Sequence, residues 1–163
     1  MSISPNSFEA VFDAHYERLV RALTVVAGDR DLAADAVQDA FVKAHLRWSK
    51  IGRYDDPSAW VRRVAINRLR DEHRRTRSKW RAIRRLGSHP ATTSDPPEVD
   101  DFGRLLRELP RQQRITTALF YVDGLSIAEV AATLDLSEGT VKSHLHDARK
   151  RLRPILENEA NHD

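Results

Sequence analysis

Residues 126–152 read SIAEVAATLDLSEGTVKSHLHDARKRL, and this stretch decides the fold of the second half of the chain. Ser126 with Glu129 three positions on is a capping-box pattern. A helix therefore starts at Ser126 and carries Ile127, Val130, Ala131 and Leu134 on one side. Leu134-Asp135-Leu136 makes a short turn, and Ser137 caps a second helix with Glu138 in its first turn, where the helix dipole favours an anion. Val141, Leu145, Ala148 and Leu152 form the inward stripe of that second helix. Its opposite side presents Lys142, Ser143, His146 and Arg149 or Lys150. Small Ala131 lets the two helices approach, and Val141 fills the space between them. A short helix, a tight turn and a second helix with a polar outer face make a helix-turn-helix. Such a second helix enters a major groove with its N-terminal residues at base edges, Lys142 donating to guanine and Ser143 bonding a base or a phosphate. Asp135 stands where glycine is commoner, and aspartate tolerates a left-handed backbone better than most residues.

Working outward, Phe102, Leu105, Leu106 and Leu109 suggest a short helix stopped by Pro110, and another runs from Arg111 to Val122 before Asp123-Gly124. Residues 86–99, LGSHPATTSDPPEV, are rich in Pro, Ser and Thr and read as a flexible linker. Before the linker, Phe8, Val11, Phe12, Leu19, Leu23 and Val26 follow a helical period broken by Gly28-Asp29. A second helix is expected from Asp31 to Trp48, with Leu32, Ala36, Val37, Ala40, Phe41, Ala44 and Trp48 inward and Asp35, Gln38, Asp39 and Lys43 outward. Ser49 to Asp56 reads as a loop, and Asp56-Pro57 as the cap and first turn of a third helix that runs into an arginine-rich block. No period-two pattern argues for a strand. The expected fold is all-α: two small helical domains, residues 1–85 and 100–163, joined by a flexible linker over 86–99.

Composition narrows the function. The chain has 163 residues, 40% hydrophobic and 31% charged, enough apolar content for real cores. It contains no cysteine, which excludes disulfides, thiolate metal sites and cysteine nucleophiles. No run of eighteen apolar residues and no secretory leader is visible, so neither membrane insertion nor export is expected, and the chain reads as cytoplasmic. The net charge is only +3, yet residues 62–85 hold 11 basic and 2 acidic side chains. Concentrating the whole positive excess in one block points to a polyanion surface. Arginines 62, 63, 70, 74 and 77 are placed to reach phosphates, and Asn67 to bond a base. Trp48, Tyr54 and Trp60 offer flat faces, the two tryptophans reading rather as core and loop-borne Tyr54 as the better contact. No phosphate loop, metal-ligand cluster or nucleophile elbow is present, so neither catalysis nor a cofactor is expected.

With these residues in view, the chain resembles a bacterial extracytoplasmic-function (ECF) RNA polymerase sigma factor, over nearly everything from Phe8 to Leu156. The resemblance rests on Asp35, Gln38, Asp39 and Phe41, on Asp56, Pro57, Trp60, Asn67, Asp71 and Arg74, and on Leu109-Pro110, Gln113, Tyr121 and Gly124. It is completed by Ser126 to Ala131 and Ser137 to His144. It implies that Asp35, Gln38 and Asp39 bind the clamp helices of core RNA polymerase. It further implies that Arg53, Tyr54, Arg63, Asn67, Arg70 and Arg74 serve the −10 element, with the loop from Lys50 to Asp55 taking a flipped base. The −35 element would fall to Ser137, Thr140, Lys142, Ser143, His146, Arg149 and Lys150. Promoter DNA, the polymerase and an anti-sigma factor are the partners implied. Two positions depart from the common pattern: Asp147 is acidic where many relatives are basic, and the loop reads Ile51-Gly52-Arg53-Tyr54 rather than Phe-Arg-Gly. A LuxR-type regulator shares the helix-turn-helix pattern, but needs a receiver or ligand-binding domain in the first half, commonly with strands.

Overall fold

The computed structural model describes Ser4, residues 6–87 and residues 101–161, and every described secondary-structure element is helical. The first half contains α1 (Phe8–Ala27), α2 (Arg30–Leu46), the one-turn α3 (Trp48–Ile51) and α4 (Pro57–Arg85). The second contains α5 (Asp101–Arg107), α6 (Arg111–Tyr121), α7 (Ile127–Leu134) and α8 (Glu138–Ala160). Most of the linker read over 86–99 lies outside the described residues; Leu86 and Gly87 form a turn after α4.

The helix ends follow the local chemistry. Ser7 accepts from the Ala10 amide, Asp29 from the amides of Asp31 and Leu32, and Asp56 from Ala59, each satisfying first-turn donors that have no partner within the helix. Gly28 closes α1 in the left-handed region at φ 70° and donates to the Thr24 carbonyl at 2.7 Å. Leu32, expected inward on the second helix, instead stands exposed at its start. The second helix ends earlier than its period suggests. Arg47 leaves the helical region at φ −119°, and the chain re-enters a single turn, α3, inside the stretch read as a loop. The reason is tertiary: Ile51 is 1% exposed, and Trp48 packs edge-on against Phe8, so the chain bends back to bury both.

The two halves do not stand apart. One apolar cluster runs through both, from Leu19, Val20, Leu23, Val37 and Val61 to Leu106, Leu109, Ile115, Leu119 and Leu145. Helix α1 is the shared element, packed on α2 and α4 of its own half and on α5 and α6 of the other, while α7 lies against α4. Arginines from the second half close the end of α1. Arg107 donates to the Gly28 carbonyl at 2.9 Å and Arg114 to the Val26 carbonyl at 3.2 Å. The last turn of α1 has no basic residue of its own, so these cations meet the negative end of its dipole and bond carbonyls the helix leaves open.

Candidate polymerase and nucleic-acid interfaces

On α2, Ala33, Ala36, Val37, Ala40, Phe41 and Ala44 are buried, which turns Asp35 and Gln38 outward with Asp39 beside them. Spacings of three and four place these polar side chains on one face. Gln38 donates to the Tyr16 hydroxyl at 3.0 Å, and Asp39 pairs with Lys43 at 3.0 Å. The same face carries two exposed apolar residues that the sequence reading passed over, Val42 at 58% and Leu46 at 77% exposure. They border a groove of about 520 Å³ floored by Phe8, Phe12, Tyr16 and Phe41. A signal existed: residues 42 and 46 lie one and two turns beyond Gln38, in phase with the polar face rather than the core stripe.

The loop after α3 and the start of α4 form the second surface. Arg53, Tyr54 and Arg63 are exposed and share a cleft of about 650 Å³ with Asp55, Asp56 and Ala59. Arg63, Asn67, Arg70 and Arg74 fall at i, i+4, i+7 and i+11 along α4, a single stripe leading away from that cleft. Asn67 is exposed; Arg70 reaches toward Gln112 at 3.5 Å, and Arg74 pairs with Asp71 on its own helix. Arg62 departs from the expectation that it reaches a phosphate. It is 2% exposed and donates to Asp123 at 2.8 Å and to Ser58 at 2.9 Å, with His15 Nδ1 at 3.1 Å. Trp48 and Trp60 are half-buried against the core, as read from the sequence.

Titratable groups record this crowding. Burial lowers the His15 pKa, and the neighbouring Arg62 and Arg18 lower it further, against opposing pulls from Asp123 and Asp56. Burial alone raises Asp56, yet hydrogen bonds from Ser58 and Ala59 and the charge of Arg62 bring it below its ordinary value. At the far side of α4, burial and then Arg111, Arg77 and Arg114 lower His73.

The third surface is the helix-turn-helix. The capping box is complete: Ser126 Oγ accepts from the Glu129 amide at 3.1 Å, and Glu129 accepts from the Ser126 amide at 3.1 Å. Asp135 adopts φ 55°, the left-handed turn read from the sequence, and its amide donates to the Ala131 carbonyl. Ser137 Oγ accepts from the Thr140 amide at 3.1 Å and shares a hydrogen bond with Thr140 Oγ1 at 2.8 Å, so both hydroxyls also serve the α8 cap. Val141, Leu145 and Ala148 are buried, leaving Lys142, Ser143, His146 and Lys150 exposed on one face. Arg149 is exposed too, but its Nε donates to the Tyr121 hydroxyl at 2.8 Å and its guanidinium lies 5.8 Å from that ring's centre. That tether joins the rim of the exposed polar face of α8 to a groove of about 490 Å³ between α6 and the end of α8.

Among the described residues, no cluster of three or more His, Cys, Asp or Glu is arranged to hold a metal, and no helix is long and apolar enough to cross a membrane. The first half has no strand among its described residues.

Comparison with known proteins agrees with this layout. The family model for sigma-70 region 2 matches residues 11–79, and that for sigma-70 region 4 matches residues 100–152. The ECF RNA polymerase sigma factor SigM of Mycobacterium tuberculosis is 33% identical over 162 residues, covering 92% of this chain and 77% of SigM. The RNA polymerase sigma-E factor of Streptomyces avermitilis is 32% identical, covering 92% of this chain and 85% of its own length. Among solved structures, the sigma factor RpoE in complex with the anti-sigma factor NepR from Bartonella quintana shares the fold at a TM-score of 0.71 and 24% identity, over 92% of this chain and 96% of RpoE. CnrH in complex with the cytosolic domain of CnrY matches at a TM-score of 0.63 and 26% identity, over 93% of this chain and 88% of CnrH.

Proposed function

The chain belongs to the ECF RNA polymerase sigma factors of the sigma-70 family, and from that premise we propose how its surfaces divide the work of initiation. It binds core RNA polymerase and directs promoter-specific transcription initiation. Residues 1–85 act as the region-two domain, 86–99 as the linker and 100–163 as the region-four domain. The α2 face of Asp35, Gln38 and Asp39, extended by Val42 and Leu46, docks on the clamp helices of the polymerase. Its apolar edge supplies buried area and its carboxylates supply orientation.

The −10 element meets the cleft of Arg53 and Tyr54 and the stripe of Arg63, Asn67, Arg70 and Arg74. Extruding a base costs a few kcal/mol, and stacking on a ring such as Tyr54 returns about 1–3 kcal/mol per base. The −35 element lies against α8, where Lys142, Ser143, His146 and Lys150 face the groove. Ser137 and Thr140 keep the first turn rigid, and Arg149 approaches from its seat on Tyr121. The work is recognition rather than catalysis, and its place is the cytoplasm, where polymerase and promoter meet. A protein inhibitor of the anti-sigma kind regulates the chain by covering these surfaces; without a thiol of its own, the chain takes any redox signal from that partner.

The observation that carries this reading is a helix-turn-helix with an exposed polar face on the same chain as an exposed arginine–asparagine stripe beside a loop tyrosine. The test is gel filtration with purified bacterial core polymerase. The wild-type chain is expected to co-elute with the enzyme, and a variant with Asp35→Lys and Asp39→Lys to elute alone. Co-elution of that variant would remove α2 from the account.

A further inference from the structure

Asp123 lies between α6 and α7 in the second half, and its side chain has no exposed surface. Both partners of its carboxylate come from the first half: Arg62 on α4 at 2.8 Å and Arg18 on α1 at 4.0 Å. Arg18 also donates to the Asp123 backbone carbonyl at 2.7 Å. Arg62 in turn is fixed by Ser58 and His15, and Ser58 hydrogen-bonds Asp56, the cap residue next to the −10 loop. The interface so held brings α7 onto α4, and Ala128, Glu129 and Ala132 of α7 form one wall of the cleft that holds Arg53, Tyr54 and Arg63.

We propose that the Arg62–Asp123 pair is an intramolecular latch. It keeps the chain in a closed form in which α7 of region four walls one side of the −10 cleft, and in which Asp123 occupies a guanidinium that the open form turns to the DNA backbone. The inference rests on the promoter-reading function above and deepens it. Lengths require the opening. Elements centred at −10 and −35 are roughly 25 base pairs apart, about 85 Å of duplex at 3.4 Å per pair. A compact chain of this length has a radius of gyration of about 15 Å and a diameter of about 40 Å. The closed form therefore cannot read both elements, and its halves must part. A buried carboxylate whose two ion-pair partners both belong to the other half is well suited to set that equilibrium: it is stable while Arg62 is present, and parting returns the pair toward water.

The absence of cysteine makes the test direct, because dyes can be placed on single introduced thiols at Asp13→Cys and Asn161→Cys, both exposed. Energy transfer between them is measured in the free chain with and without Asp123→Asn, alongside binding to a short fluorescent single-stranded DNA of mixed sequence. Asp123→Asn is expected to lower the transfer and to tighten strand binding by about tenfold, the factor by which a closed population of nine in ten masks an open-state site. Arg62→Met is expected to lower the transfer equally with a smaller gain in binding, since it also removes the released cation. Unchanged transfer in an Asp123→Asn chain with native circular dichroism would overturn the latch, and so would opening without tighter strand binding. Loss of helicity in that variant would make Asp123 a structural residue of its own half, which also overturns it. None of these readouts needs polymerase, so failure of the latch and failure of the sigma reading are distinguishable.

Discussion

Truncating Val141 to alanine removes two methyl carbons from a position with no exposed surface, where α8 packs on α7. At about 0.8 kcal/mol per buried carbon the transfer loss is about 1.6 kcal/mol. The space left behind adds about 1 kcal/mol more, because neighbours such as Val130 and Leu145 collapse only in part. Val141→Ala is therefore expected to cost about 2–3 kcal/mol and, at about 2–4 °C per kcal/mol for a chain of this size, to lower Tm by roughly 4–12 °C. Its neighbour Lys142 is exposed, so Lys142→Ala is expected to change stability by less than about 0.5 kcal/mol. Instead it should weaken binding to a −35 duplex by about 1–3 kcal/mol, roughly fivefold to 150-fold. Scanning calorimetry reads the first effect and fluorescence anisotropy on the duplex the second. A Val141→Ala loss below about 0.5 kcal/mol, or a Lys142→Ala chain that binds as tightly as wild type, would refute the assignment of inward and outward faces to α8.

Three further outcomes are expected. His15 titrates below its ordinary 6.5 because burial, then Arg62 and Arg18, oppose its charge more strongly than Asp123 and Asp56 favour it. The unfolded chain thus binds a proton that the closed chain resists, so stability is full above pH 6.5 and falls as pH drops from 6.5 toward the lowered value. Urea midpoints measured across that window should flatten in His15→Gln, and an identical slope would remove His15 as the cause. Asp135 holds φ 55°, so Asp135→Ala is expected to cost about 1 kcal/mol, while Asp135→Gly stays within a few tenths of wild type in thermal melts. Polymerase-independent binding to single-stranded DNA should be weak and fall steeply with salt. Replacing Arg70 and Arg74 with alanine should reduce the log–log salt slope by about 1.4, and an unchanged slope would move the phosphate contacts elsewhere.

Much of the architecture is legible because its signals are local. The Ser126–Glu129 box, the Asp56-Pro57 start of α4 and the Gly28 stop of α1 each act within a few residues, and each forms as read. The helical period separates the inward stripe of α8 from Lys142, Ser143 and His146 for the same reason. What the sequence hides is decided at a distance. The early end of α2 depends on where Ile51 finds burial, not on residues 44–48. Arg62 looks like one more cation of a basic helix, and only Asp123, 61 positions away, makes it a buried pair. Arg149 is likewise seated by Tyr121, 28 positions away. The proline-rich stretch 86–99 suggests independent halves, because nothing local announces that Arg107 and Arg114 bond the end of α1. Val42 and Leu46 were legible in principle, as apolar residues in phase with a polar face.

Run-off transcription is the most direct test of the central claim. Purified bacterial core polymerase is incubated with a genomic promoter library, with and without this chain, and the transcripts are mapped. The account predicts promoter-specific transcripts that depend on the chain and whose aligned start sites share −10 and −35 elements. An enzyme that yields the same transcripts whether or not the chain is present would contradict it.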